Sequence, residues 1–219
     1  MSGQLTFSLP PRAQFARADF FASPANAAAL DAVAAGGLPR LLLIGPHGSG
    51  KTHLAHIAAS LGPAHMVSLA ALEGHLPDVT AQSRIVIDDI DHADASAQAA
   101  LFHLFNLLTP QGHLLFTATK PPRDWDDPLP DLVSRLQTLP MARLNPPDDA
   151  LLSAVLVKLF ADHQITVPPN LIAYLVPRME RSIAAARTLV AALDARALAL
   201  SRPVTRALAA EVLDKGPAR

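Results

Sequence analysis

Cysteine is absent from the 219 residues, which excludes a disulfide framework and any thiolate-held metal. Aromatic residues make up only 5% of the chain, with one Trp and one Tyr, so its core must be built from aliphatic side chains. Charge is scarce as well. Charged residues reach 17% and the net charge is −1, a balance that argues against a global nucleic-acid or membrane footprint. No uninterrupted apolar run approaches the length of a membrane span. The start, Met1-Ser2-Gly3-Gln4-Leu5-Thr6, lacks the basic and long apolar regions of a secretory signal. These absences lead to the expectation of a cytoplasmic chain with no membrane partner.

Glycine is also modest, ten residues in all, yet three fall between positions 45 and 50. The run Gly45-Pro46-His47-Gly48-Ser49-Gly50-Lys51-Thr52 has the G-x-x-x-x-G-K-[ST] spacing of a phosphate-binding loop. It follows the apolar stretch Leu41–Ile44 and opens a helix-like stretch from Thr52 to Ala59, the strand-loop-helix context such a loop requires. Glycines let the backbone wrap closely enough to aim N–H groups at phosphate oxygens, and the helix start adds its positive dipole end. The expected ligand is ATP or ADP with Mg2+: Lys51 reaches the β- and γ-phosphates and the Thr52 hydroxyl ligates the metal.

A second motif, Ile85-Val86-Ile87-Asp88-Asp89, is an apolar strand ending in two carboxylates. A strand buried on both faces places acids at its C-terminal edge, where open α/β sheets bind ligands. Asp88 is the candidate to hold magnesium and Asp89 to polarise an attacking water. A third stretch, Leu114-Leu115-Phe116-Thr117-Ala118-Thr119, is expected to bring a hydroxyl between Asp89 and the γ-phosphate, with Thr119 preferred and Thr117 the alternative. His53 and His56 stand three apart on the helix after the loop, but no third ligand is evident nearby, so a metal site is rejected.

Strand-like runs at Leu41–Ile44, Met66–Leu69, Ile85–Asp88, His113–Thr119 and Leu139–Leu144 alternate with helical stretches such as Asp94–Leu108, which predicts a parallel sheet covered by helices. From Asp148 onward the pattern is helical only, with Ser182 and Thr205 as N-caps. The expected organisation is an arm over 1–18, an α/β nucleotide-binding core over 19–146 and a small all-helical lid over 147–219.

The order of phosphate loop, Asp-Asp, polar strand end, arginine and helical lid resembles the AAA+ P-loop ATPases. Within them, Gly45–Thr52 running on to His56, together with Ile87-Asp88-Asp89-Ile90, resembles the DnaA replication-initiator branch from about Asp19 to Leu213. That resemblance implies two arginine roles. Asp131-Leu132-Val133-Ser134-Arg135-Leu136 makes Arg135 the arginine finger that serves a neighbour's nucleotide. Ala186-Arg187-Thr188-Leu189 makes Arg187 the lid residue that senses the bound nucleotide, with Arg181 the competitor. A complete initiator carries a further DNA-reading domain, and its lack here is similar to the Hda-type regulators that inactivate the initiator. The segment Gln4-Leu5-Thr6-Phe7-Ser8-Leu9 resembles the peptide by which such proteins bind the sliding clamp, the β subunit of DNA polymerase. The implied partners are the clamp and DnaA, with DNA met only through the clamp, a replisome-associated place in a bacterial cytoplasm, and a homo-oligomer left open. The alternatives are a loader or adaptor module for a replication protein, or a DnaA-like initiator-associated ATPase. Whether the chain hydrolyses ATP itself stays open, because Asp89 is one methylene shorter than the glutamate many AAA+ proteins place there.

Overall fold

In the computed structural model, residues 15–35, 40–62, 64–108 and 112–215 are described. Five parallel strands form one sheet, β1 (Leu41–Ile44), β2 (His65–Met66), β3 (Arg84–Ile87), β4 (His113–Ala118) and β5 (Met141–Arg143), in the spatial order β2-β3-β4-β1-β5. The aliphatic runs predict this placement. β1 is buried at all four positions, as a strand covered on both faces must be.

Alternation along the strands divides two cores. Leu42, Ile44, Ile85, Ile87, Leu114 and Phe116 point to one face. There they pack on α3 (Leu69–His75), α4 (Ala95–Leu107) and α5 (Pro130–Leu136) through Leu72, Leu101, Leu104, Leu132 and Leu136. Leu41, Leu43, Val86 and Leu115 point to the other face, against Leu30 and Val33 of α1 (Ala27–Ala34) and Leu54 and Ile57 of α2 (Lys51–Ser60).

The remaining helices are α6 (Asp149–Asp162), α7 (Pro169–Leu175), α8 (Ile183–Leu200) and α9 (Arg206–Lys215). They enclose an apolar centre of their own, including Leu152, Leu156, Phe160, Leu175, Val190, Leu193 and Leu208. Asp148 and Ser182 cap α6 and α8 by accepting from Leu151 N–H and Ala185 N–H at 2.7 and 2.9 Å. Thr205 accepts from Leu208 N–H at 3.3 Å.

Several predicted boundaries shift by a residue or more. The run expected as a strand over Met66–Leu69 is strand only at His65–Met66, because Leu69 already begins α3. The strand expected over Leu139–Leu144 is confined to Met141–Arg143, since Pro140 has no N–H to enter a ladder and only its carbonyl accepts, from Leu42. The stretch before Asp19, read as an arm, is partly fixed: Phe15 stacks flat on His56 with ring centres 4.0 Å apart. Phe20, next after Asp19, is buried in the second core.

Candidate functional site

The sheet delivers its chemistry at the C-terminal ends of β1, β3 and β4. Gly45 N–H is tied to Ala118 O at 3.2 Å, so the loop after β1 leaves the sheet beside β4. Gly48 and Gly50 adopt positive φ of 70° and 103°, conformations that disfavour a side chain. At Gly45 the limit is space, because an added Cβ would lie 2.7 Å from Ser49 Oγ and 2.8 Å from Leu144 O. The tight wrap aligns with the start of α2, where Lys51 is the first helical residue.

Lys51 is buried, with its ammonium donating to Gly45 O at 3.0 Å and Pro46 O at 3.4 Å and lying 3.8 Å from Asp89 Oδ1. Thr52 Oγ1 donates to Asp88 Oδ2 at 2.7 Å. The other Asp88 oxygen accepts from the Thr117 hydroxyl, whose oxygen in turn accepts from Asp89 N–H at 2.8 Å. Loop, β3 and β4 are thereby joined through one carboxylate.

Burial and the nearby Asp88 carboxylate raise the Asp89 pKa, against the opposing pull of Lys51. The ion pair alone would push the other way. At 3.8 Å without a hydrogen bond it is the weaker influence. Asp89 also holds φ of 51°, a left-handed conformation uncommon outside glycine, as the chain turns sharply at the end of β3.

Thr119 is placed differently from expectation. Its N–H donates to Asp91 Oδ2 at 2.8 Å and its hydroxyl donates to the same oxygen, so the hydroxyl faces Asp91 rather than Asp89. Thr117, the alternative, is the threonine that meets the Asp-Asp pair. The reason is the turn Ile90–His92, which folds back over the end of β4 and presents Asp91 to the first residue beyond the strand. Asp91 is a site residue that sequence reasoning missed. The only signal was a third acid two positions after the Asp-Asp pair.

The helical part touches the loop directly. Ile183 N–H, the first amide of α8, donates to Gly48 O at 2.8 Å, and a Cβ on Gly48 would meet Ser182 Cβ at 2.7 Å. Four residues on, Arg187 is exposed and close enough to His53 to help lower that ring's pKa, after the larger effect of burial. Arg181 is engaged elsewhere, with Asp149 at 2.6 Å and Pro147 O at 3.4 Å, which leaves Arg187 the lid arginine nearer the loop helix. His53 Nε2 donates to Ala16 O at 3.1 Å and its ring meets Phe20 edge-on at 5.2 Å. The two histidines thus hold the segment before α1. Among the described residues no group of three His, Asp or Glu is placed to hold a metal.

Arg135 lies apart from all of this. It is exposed in the last turn of α5 and lines a cleft with Arg40, Phe105, Asn106, Thr138 and Pro140. Arg40 and Pro140 immediately precede β1 and β5, so the cleft opens at the sheet edge opposite the phosphate loop. The segment Gln4, Leu5, Thr6, Phe7, Ser8, Leu9 lies outside the described residues.

The residues present fit a phosphate chain. The buried Ser49 Oγ has no hydrogen-bond partner among the described residues, the Lys51 ammonium sits beneath the loop, and Thr52 and Asp88 form an all-oxygen pair suited to Mg2+.

A phosphate loop after the first strand, the order β2-β3-β4-β1-β5 and a C-terminal helical lid together define the AAA+ fold. The chain is similar in sequence to the chromosomal replication initiator protein DnaA of Thermomicrobium roseum, 29% identical over 206 residues that cover 82% of this chain and 43% of that protein. Domain III of the Thermotoga maritima replication initiation protein DnaA matches the fold with a TM-score of 0.81 at 19% identity, covering 96% of this chain and all of that one. A replication initiator DnaA solved with AMPPCP and single-stranded DNA matches with a TM-score of 0.68 at 17% identity, covering 85% and 65%. The chain spans about two-fifths of the length of its curated relatives. No family model matches the sequence. No helix among the described residues is long and apolar enough to cross a membrane.

Proposed function

We propose that this chain is a nucleotide-binding AAA+ regulator of bacterial replication initiation that acts on the ATP of a neighbouring initiator through Arg135. The observation that carries the reading is the separation of Arg135 from its own phosphate loop. A four-residue strand spans about 13 Å at roughly 3.3 Å per residue, beyond the reach of an arginine from the opposite sheet edge. An exposed guanidinium there suits a second subunit, where it can stabilise charge developing on a γ-phosphate. The likeness to DnaA supports a partner in replication initiation, and the AMPPCP-bound neighbour supports the ligand class.

In this reading the loop amides from Gly45 to Gly50, with Ser49 and Lys51, hold the phosphates of ATP or ADP. Thr52 and Asp88 hold Mg2+, and Arg187 reads the nucleotide from the lid. Lys51 and the loop amides would neutralise the charge of a bound phosphate chain, with the start of α8 held against the loop at Gly48. Gln4 to Leu9 dock on the sliding clamp and bring the regulator to initiator near newly copied DNA, which makes it a negative regulator of the Hda type.

The test is an initiator ATPase assay with clamp-loaded DNA. Wild-type protein stimulates hydrolysis. Arg135→Ala abolishes stimulation yet still pulls down the clamp, whereas Gln4→Ala with Leu5→Ala loses the clamp. Stimulation that survives Arg135→Ala overturns the mechanism.

A further inference from the structure

Ser49, Lys51, Thr117 and Ser182 are buried polar side chains of the phosphate site. Asn26, a fifth, bonds within its own turn, accepting from Ser23 N–H at 2.8 Å and donating to Phe21 O at 2.9 Å. Gln98, in the first turn of α4, is different. It is 7% exposed, and its amide reaches a residue 31 positions away. Oε1 accepts from Leu129 N–H at 2.6 Å, while Nε2 donates to Ala93 O at 3.2 Å and, less closely, to Asp127 O at 3.5 Å. A buried amide is tolerated only when paired in this way, and such bonds are directional where aliphatic packing is not.

Leu129 is the residue from which the chain enters α5, and α5 carries Arg135 in its last turn. Leu129 has no polar side chain to cap that helix and Pro130 supplies no N–H, so Gln98 holds the entry from outside. Ala93 closes the turn Ile90–His92 by donating to Ile90 O at 3.2 Å, and that turn carries the Asp91 that holds Thr119. One side-chain amide thus fixes the start of α5 against the acid-bearing end of β3. Trp125, the one tryptophan of the chain, is buried in the connecting loop and donates to Lys120 O at 3.0 Å.

From this we infer that Gln98 is a positioning residue for Arg135, a role that rests on the function proposed for that arginine. Leu132 and Leu136 are the buried residues of α5, which sets the face it packs and leaves its tilt to directional contacts at its entry. Seven residues span about 10 Å, and a tilt of about 10° at Leu129 would carry the far end of such a helix by roughly 2 Å. A misplacement of about 1 Å can cost on the order of a hundredfold in rate. Gln98 acts through α5 and not by contact with the partner.

The experiment repeats the initiator ATPase assay with clamp-loaded DNA and increasing amounts of the full chain. Gln98→Met keeps the length of the side chain and removes both hydrogen-bonding ends. It should lower the maximal stimulated rate by about tenfold or more, with the half-saturating concentration changed by less than about twofold. Leu129→Pro removes the same hydrogen bond from the other side, at a φ of −64° that proline adopts, and should show the same split. Clamp pull-down and nucleotide titration should match wild type for both, and thermal unfolding checks that each is folded. Acrylamide should quench Trp125 more strongly in Gln98→Met than in wild type, a readout that needs no partner. An unchanged maximal rate in Gln98→Met beside an inactive Arg135→Ala, a loss confined to half-saturation, or unchanged quenching overturns this assignment and leaves the proposed function standing. Loss of folding in both variants makes Gln98 a stability residue alone and overturns it as well. No stimulation by wild type overturns both readings.

Discussion

Asp88 and Asp89 are neighbours in sequence with opposite surroundings. Asp88 accepts from two hydroxyls, Thr52 and Thr117. Asp89 is partly buried beside that fixed charge, and its pKa is raised. A carboxyl whose folded pKa exceeds its unfolded value keeps its proton longer in the native state. The native state then binds more protons, and stability falls as pH rises from the unfolded value through the folded one. Asparagine has no such proton to lose. Asp89→Asn should match wild type at the acid end of the carboxylate range and exceed it in thermal midpoint at neutral pH. Equal midpoints across that range would show the Lys51 contact to balance burial and Asp88, and a lower midpoint for the variant at neutral pH would show it to outweigh them.

At the scale of elements, the loop and α8 meet at Gly48. Any side chain there faces a positive φ of 70° and Ser182 Cβ at 2.7 Å. Gly48→Ala should lower stability by about 1–3 kcal/mol from the strained backbone alone and weaken nucleotide binding by shifting Ile183 off the loop. Calorimetric unfolding and nucleotide titration measure the two effects. If the variant binds ATP as wild type does, the loop-to-lid contact has no part in binding.

The loop itself was legible because glycine spacing, a lysine and a preceding aliphatic strand are local signals. The β3 acids were legible for the same reason: charge can follow a buried strand but not interrupt it. The Thr119 placement was not, since it depends on the Ile90–His92 turn folding back across a neighbouring strand, and nothing at positions 117–119 records that. Edge strands were hardest to bound. β2 and β5 expose Met66 and Met141, and a strand with one open edge has fewer partners to fix its ends. The packing of Phe15 and Phe20 on His53 and His56 was hidden too, because it joins residues more than thirty positions apart.

For the whole molecule, sheet and lid carry separate apolar centres and communicate through few polar links. These include Ile183 with Gly48, and Lys158 of α6 with Asp19 at 3.2 Å. A ligand held by the loop should therefore stabilise both parts together. ATP or ADP at a hundred times its dissociation constant should add about 2.7 kcal/mol by linkage, seen as a higher thermal midpoint with a single transition. Lys51→Ala should abolish that shift, and a nucleotide-dependent shift that persists in the variant would remove Lys51 from the site.

One peptide group serves two masters in this design. The carbonyl of Gly48 belongs to the curve of the loop, while its hydrogen bond anchors the leading amide of an eighteen-residue helix. A rotation of that group by a few tens of degrees would be magnified over the helix length of about 27 Å, much as a small turn of a key moves a long bolt. How far that helix can tilt against the sheet is then limited by a single amide at its leading end.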